Sequence, residues 1–285
     1  MANLKEIRTR ISSVSSTMQI TSAMKMVSAA KLRKAQERVV GFRPYAEKLQ
    51  SVISDLSGSQ TDENKYAKTR EVNKILIVVV SSNKGLCGAF NSNVAKQALI
   101  LADDYSGKTV DFACIGKKAG ELLSYKGMNV IKKYNDIYDD LSFDNSTKIS
   151  GELMSLFLNG EYDKVHIIYN SFKNAASQIL KVEQYLPIVT ESSDSHAQNR
   201  DYIYEPNKHA ILENVIPIAL KTQVYKAIID SFASEHGARM TAMHKATDNA
   251  NELVKDLTLT YNKARQAAIT NEILEIVGGA EALSN

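Results

Sequence analysis

Both ends of the sequence carry apolar or small residues at alternating spacings of three and four, the period of a coiled-coil helix. The N-terminal stripe, called the first seam, is Leu4, Ile7, Ile11, Val14, Met18, Thr21, Lys25, Ser28, Leu32, Ala35, Val39 and Phe42. The C-terminal stripe, called the second seam, is predicted at Val224, Ile228, Phe232, Met243, Ala246, Ala250, Leu253, Leu257, Thr260, Ala264 and Ala267.

Helix breakers are scarce in both stretches. Residues 2–40 contain neither Gly nor Pro, and from Ile218 to Val277 the only breaker is Gly237, where we expect a local adjustment of the helix. A helix of roughly 60 residues would be about 90 Å long, which is too long to be buried in a compact domain. We therefore predict that helices in residues 1–57 and 210–285 pair as an antiparallel coiled coil that buries both seams.

The middle of the chain has a different pattern, in which short apolar runs alternate with amphipathic stretches. Strands are predicted at Lys74–Ser81, Thr109–Ile115, Met128–Tyr134, Val165–Ser171 and Gln178–Leu186, and helices at Asn91–Tyr105 (with Asn91 as cap), Lys117–Tyr125 and Ser146–Leu158. Alternation of this kind predicts a mostly parallel sheet covered on both faces, with an antiparallel pair at its end. The predicted fold class is α/β: a Rossmann-like central domain, residues 74–206, joined to the long coiled coil.

Charge and composition narrow the class of protein only a little. The net charge is +3, but residues 1–50 hold ten basic and three acidic residues, which suits nucleic acid, anionic lipid, an acidic protein surface or simply a solvated face. No apolar run approaches the ~20 residues of a membrane span. Two cysteines, Cys87 and Cys114, predict neither a disulfide framework nor a metal site and favour a reduced, cytoplasmic setting.

Candidate sites for chemistry are weak. Gly107-Lys108-Thr109 matches the end of a phosphate loop, but it leaves a helix and enters a strand, the reverse of the required context, so we predict a plain turn. Ser81–Asn91 lies where α/β sheets bind ligands, yet it lacks the three-glycine fingerprint, and we favour a turn that allows close strand–helix packing. The five histidines show no metal spacing, and Cys87 has no organised partner. We expect no catalytic residue, cofactor or metal in this chain.

Three segments of the sequence are distinctive: Ile20–Gln36 (ITSAMKMVSAAKLRKAQ), Ser82–Asn91 (SNKGLCGAFN) and a C-terminal set made of Ala238–Met243 (ARMTAM), Ala246–Ala250 (ATDNA), Tyr261–Gln266 (YNKARQ) and Ile269–Ala280 (ITNEILEIVGGA). In sequence and in order, these segments resemble the γ subunit of F-type ATP synthase. The resemblance covers essentially the whole chain.

The resemblance implies a central rotor shaft. In that family one copy of the helix pair stands inside a hexamer of three α and three β subunits, and the β subunits perform the ATP chemistry. The α/β domain lies near the ε subunit (δ-type in mitochondria) and the membrane c-ring, whose ion-driven rotation the shaft transmits. The implied location is peripheral, on the cytoplasmic face of the bacterial inner membrane, without nucleic acid.

Individual positions match family contact residues, and these roles rest on the resemblance alone. Residues matching contacts with β subunits are Met24, Lys25, Arg239, Gln266 and Thr270. Tyr202 and Glu205 match the segment that faces the c-ring and ε. The alternative function is a nucleotide-binding α/β enzyme with helical arms, which nucleotide binding and turnover by the isolated chain would reveal. A basic helical nucleic-acid binder is a third possibility, but the first helix lacks interleaved aromatic residues.

Overall fold

The computed structural model describes residues 4–57, 65–188 and 208–284 of the chain. The described helices are α1 (Leu4–Ser57), α2 (Phe90–Asp103), α3 (Lys117–Tyr125), α4 (Phe143–Leu158) and α5 (Lys208–Ser284). The described strands are β1 (Lys74–Val80), β2 (Thr109–Ile115), β3 (Val130–Tyr134), β4 (Lys164–Phe172) and β5 (Gln178–Leu186). Backbone contacts divide the chain into two compact units. The helix-pair unit comprises residues 1–28 and 240–285, and the sheet unit comprises residues 29–239.

The sheet unit is built on five strands in the order β3-β2-β1-β4-β5. The first four are parallel, and β5 pairs antiparallel with β4, which confirms the predicted mixed sheet with an antiparallel edge. Strand β1 (KILIVVV) is buried at every residue after its first, because a central parallel strand has helices on both faces. The α/β fold class predicted from the sequence is therefore confirmed.

Two apolar layers cover the sheet. On one face, Leu76, Val78 and Val80 of β1 pack with α4 and with the part of α5 from Ile216 to Ile228. On the other, Ile75, Ile77 and Val79 pack with α2 and α3. Alternate residues of one strand point to opposite faces, so the continuous apolar run of β1 fills both layers.

The helix-pair unit joins the start of α1 to the later part of α5. Thr21 meets Thr247 through a 2.9 Å hydroxyl–hydroxyl hydrogen bond. Arg8, earlier in α1, donates to the hydroxyl of Tyr261, later in α5, at 2.6 Å. Because partners move forward along one helix as they move back along the other, the two helices are antiparallel, as predicted.

The first seam is confirmed, since all twelve of its residues are buried or half-buried. The second seam is partly wrong: Leu253, Thr260 and Ala267 are exposed, whereas their C-terminal neighbours Val254, Tyr261 and Ala268 are half-buried. Small or apolar residues occur at both members of each neighbouring pair. The sequence therefore fits a three-then-four or a four-then-three spacing, and only contact with the facing helix selects the second.

One predicted helix detail is also wrong. Asn91 does not cap α2, because the helix begins one residue earlier and the Asn91 side chain is used by Ser82. Gly237 does not end α5, which agrees with the expectation of no more than a local adjustment there: the helix is continuous from Lys208 to Ser284. A Cβ at Gly237 would lie 3.1 Å from the carbonyl oxygen of Ala175, so glycine here allows the turn after β4 to approach the helix closely.

Candidate functional site

The connection from β1 to α2, residues 81–89 and called the β1–α2 loop, is held by side chains at its start. The Ser82 amide donates to Asn91 Oδ1 at 3.0 Å, and the Ala119 amide donates to Ser81 Oγ at 3.0 Å. The Tyr138 hydroxyl donates to the Ser81 carbonyl at 2.6 Å. These bonds satisfy backbone groups that no strand or helix ladder reaches.

The connections that follow β1 and β2 touch each other. Gly116, directly after β2, has φ +93°, and a Cβ there would lie 2.2 Å from the Ser81 carbonyl oxygen. A Rossmann fold binds its dinucleotide where the strand order reverses, and in this sheet that point lies between β1 and β4. The contact between the connections after β1 and β2 therefore lies beside that point.

The glycines of the β1–α2 loop do not provide the close packing expected of them. A Cβ at Gly85 or Gly88 would meet open space, so that expectation was wrong. Gly88 instead supplies a left-handed turn with φ +59°, and Gly116 provides the close approach. Gly107 lies in the turn between α2 and β2 with φ +87°, consistent with the plain turn predicted for Gly107-Lys108-Thr109.

Arg239 of α5 reaches the β1–α2 loop. Its Nε donates to the Gly85 carbonyl at 3.1 Å and its Nη2 to the Lys84 carbonyl at 2.9 Å. Its Nη1 donates to Glu235 Oε1 at 2.7 Å and lies 3.3 Å from His236 Nδ1, which accepts. The side chains of Arg239 and Glu235 are each 8% exposed. The guanidinium is therefore surrounded by acceptors from its own chain.

Burial dominates the electrostatics of this cluster. Desolvation raises the pKa of Glu235, although the Arg239 guanidinium pulls it down. Burial and the positive charges of Arg239 and Lys31 lower the pKa of His236 to about 3, which leaves the imidazole neutral. The ring of Phe232 packs edge-on against His236, with centroids 4.5 Å apart. Burial also raises the pKa of the Cys87 thiol, so this cysteine has little thiolate character.

The residues predicted to contact partners differ in how accessible they are. Met24 and Lys25 are half-buried on α1, whereas Gln266 and Thr270 are exposed on α5. The Thr270 hydroxyl donates to the Gln266 carbonyl within the helix. Arg239 is 6% exposed. Tyr202 and Glu205 lie outside the described residues.

The structure also reveals an apolar surface on the segment Ile269–Ala280, which the sequence analysis named only for its resemblance to the family. From Ile269 to Ala280 every residue of α5 is exposed, including Ile269, Ile273, Leu274, Ile276 and Val277. The hydrogen bonds Arg8–Tyr261 and Thr21–Thr247 place Leu4 opposite the region of Ala264, so α5 continues beyond the described part of α1. Exposed apolar residues of this density are typical of a surface that contacts another protein.

Two further properties bear on the site. Among residues 4–57, 65–188 and 208–284, no helix has a stretch long and apolar enough to cross a bilayer. Within those same ranges, no three histidine, cysteine, aspartate or glutamate side chains gather as metal ligands would.

Comparison with known proteins identifies the family. The sequence model described as ATP synthase matches residues 3–283. The ATP synthase gamma chain of Flavobacterium psychrophilum is 60% identical over 285 residues, covering 99% of both chains. That of Flavobacterium johnsoniae is 60% identical over 286 residues, covering 100% of both. The chain belongs to the ATP synthase gamma chain family.

Solved structures agree on the fold. A central stalk chain of the Tetrahymena thermophila mitochondrial ATP synthase has a TM-score of 0.63 at 26% identity, covering 80% of this chain and 99% of its own. A rotor chain of the Euglena gracilis mitochondrial enzyme has a TM-score of 0.70 at 22% identity, covering 93% and 98%. The long terminal helices and the α/β domain are thus an architecture shared with central stalks.

Proposed function

We propose that this chain is the central rotor shaft of an F-type ATP synthase and carries torque between an ion-driven c-ring and a hexamer of α and β subunits. The chain would hold no catalytic residue, and the β subunits would bind and hydrolyse or synthesise ATP. The observation that carries the proposal is the helix-pair unit: two antiparallel helices whose longer member, α5, continues beyond the described part of α1, with every residue from Ile269 to Ala280 exposed.

The surface chemistry of this unit suits a shaft inside a ring of subunits. Side chains of Thr9, Ser16 and Thr17 on α1 bond to carbonyls of their own helix, so their exposed polar groups are already partly satisfied. Small, self-satisfied side chains bind weakly to a passing surface, which favours movement. The apolar residues between Ile269 and Val277 would instead be covered by the surrounding subunits.

We assign the partner contacts accordingly. Gln266 and Thr270, exposed on α5, would face β subunits, and Met24 and Lys25 would contribute from α1. Arg239 differs, because each of its three side-chain nitrogens already donates to an acceptor of its own chain. Contacts of Tyr202 and Glu205 with the c-ring and ε remain predictions from family resemblance. The assembly would stand on the cytoplasmic face of the bacterial inner membrane, attached through the ring.

Reconstitution tests the proposal. The chain is mixed with α and β subunits of the same organism, and the complex is isolated. The complex is then attached to a surface through its β subunits, and a probe is attached to the sheet unit. We expect one copy per three α and three β, and rotation of the probe driven by ATP. Absence of a complex of fixed ratio, or hydrolysis without rotation, would contradict the shaft. Nucleotide turnover by the isolated chain would instead favour the α/β enzyme.

Removing residues 269–285 provides a matched variant. This truncation keeps the Arg8–Tyr261 and Thr21–Thr247 hydrogen bonds and the half-buried residues of the second seam, and it deletes the exposed stretch that begins at Ile269. We expect an intact isolated chain but a complex that assembles less tightly. Equal assembly would show that the exposed apolar end is not covered by partners.

A further inference from the structure

Arg239 of α5 donates hydrogen bonds to two backbone carbonyls of the β1–α2 loop. The carbonyls of Lys84 and Gly85 belong to no sheet or helix, and two nitrogens of Arg239 reach them from α5. The Ser82 hydroxyl also donates to the Lys84 carbonyl, at 2.6 Å, from within the loop. Arg239 thus joins this part of the loop to α5, and the bonded residues are more than 150 positions apart in the chain.

Leu86, the residue after Gly85, has an unfavourable backbone conformation. Leu86 has φ +61°, in the left-handed region that residues with a side chain seldom adopt, and it is 63% exposed. A strained residue persists only where its surroundings fix the backbone. Two fixed carbonyls directly before Leu86 provide such a constraint, and Gly88 completes the turn after it.

We propose that Arg239 is a positioning residue that fixes the β1–α2 loop to α5, so that force applied to the loop at Leu86 passes directly into the long helix. This inference rests on the rotor function proposed above and assigns Arg239 an internal role in place of direct contact with a neighbouring subunit.

The chemistry of the cluster explains why the position requires arginine. A guanidinium is a planar fork that can donate to two adjacent carbonyls and to a carboxylate at once, whereas an ammonium group is a single point of charge. Glu235, one helical turn away, orients the fork through Nη1. His236 accepts from the same nitrogen, which requires its neutral form. The fork is therefore held in one direction before it meets the loop.

Cys87 lies in the β1–α2 loop, so the rate at which its thiol is labelled measures how often the loop opens. Cys87 is 2% exposed, and Asn91 Nδ2 lies 3.2 Å from its sulfur. The other cysteine, Cys114, is buried within β2. With Cys114→Ser in the full chain, maleimide labelling measures opening of the loop. With Cys87→Ser, it measures opening of the sheet.

Labelling rates test the proposal on the isolated full chain. We expect Arg239→Lys to accelerate labelling of Cys87 at least tenfold and leave Cys114 unchanged. Arg265→Lys, the same change at an exposed position of α5, should alter neither rate. An unchanged Cys87 rate would overturn the proposal. So would equal acceleration at both cysteines, because Arg239 would then hold the whole unit together and not the loop.

A second variant separates the ion pair from the loop contacts. Glu235→Leu with Arg239→Met removes both charges and takes the Arg239 donors away from the Lys84 and Gly85 carbonyls. We expect Cys87 to remain fast in this double variant. Return to the original rate would show that the buried charge, and not the anchoring of the carbonyls, explains the single variant, and would overturn the proposal.

The complex with α and β provides the functional readout. If Arg239 acts through the loop, Leu86→Ala and Arg239→Lys lower the ATP-driven rotation rate in a non-additive way, with the double variant within about twofold of the slower single variant. Multiplying effects would overturn the proposal. Failure of the unaltered chain to rotate would contradict the rotor function, whereas the labelling result would still decide whether Arg239 holds the loop.

Discussion

Two stretches of the single helix α5 use similar polar residues in opposite ways. From Val224 to Arg239 every residue is buried or half-buried, and Asp230, Glu235 and Arg239 bond to groups of the same unit. From Met243 to Ala280 only a narrow stripe is covered, and Gln266 and Thr270 face outward. Residue type does not distinguish the two uses. The surroundings of the helix decide which polar groups bond within the chain and which are available to partners.

Replacement of the two arginines should give the largest difference between these stretches. Arg239→Ala leaves the Glu235 carboxylate buried without its partner, and we expect a loss of about 3–5 kcal/mol in the free energy of unfolding. Arg265→Ala, at an exposed position, should cost less than about 0.5 kcal/mol. Urea unfolding followed by tyrosine fluorescence measures both, because the chain has no tryptophan. Equal costs would remove the distinction.

The second-largest expected difference between the two stretches is the response of their stability to acid. The unfolded His236 takes up a proton near its usual pKa of 6.5, whereas the folded residue does so only at about 3. Stability therefore falls as the pH drops below 6.5, by roughly 2 kcal/mol between pH 7 and pH 5 from this group.

The variant His236→Gln should lack this part of the pH dependence. The contribution of Glu235 to the pH dependence of stability has the opposite sign. Its pKa is raised above 4.5 in the folded chain, so its contribution to stability is present at low pH and is lost as the pH rises through the raised pKa. Comparing the two chains at each pH cancels contributions that they share. An equal decline from pH 7 to pH 5 in both would contradict a buried, neutral His236.

The two kinds of glycine in α5 should respond with opposite signs. Gly237→Ala places a methyl group 3.1 Å from the Ala175 carbonyl oxygen, and we expect a net loss of about 1 kcal/mol in stability. Gly278→Ala meets open space within a helix and should stabilise that helix by up to about 1 kcal/mol. Urea unfolding measures the first, and amide exchange near residue 278 the second. A gain at Gly237 would show that the turn after β4 yields easily.

The smallest effect concerns the register of the second seam. Val254 is half-buried and Leu253 is 40% exposed. We expect Val254→Asn to cost about 1 kcal/mol more than Leu253→Asn, although leucine is the larger side chain. Hydrogen exchange of amides 247–261 in the full chain measures the difference. A larger cost at Leu253 would restore the spacing predicted from the sequence.

Much of the architecture could be predicted from local pattern. The three-and-four spacing of the first seam, the scarcity of Gly and Pro, and the alternation of apolar runs predicted the long helices and the mixed sheet. Family motifs then predicted the rotor class. These features are repeated over many residues, so a few ambiguous positions do not change the result.

Single positions could not be predicted in the same way. Leu253 and Val254 fit the helix pattern equally well, and contact with α1 decides between them. Nothing in the local sequence distinguishes Arg239 from Arg265, or shows that Gly116 and not Gly85 is the point of close approach.

Sequence by itself determined the kinds of element and their order, because helix and strand periods are local properties of the chain. Tertiary structure alone decided that Arg239 ends at the carbonyls of Lys84 and Gly85. That contact joins residues far apart in the sequence, and the free energy of a buried guanidinium depends on the acceptors the fold brings to it.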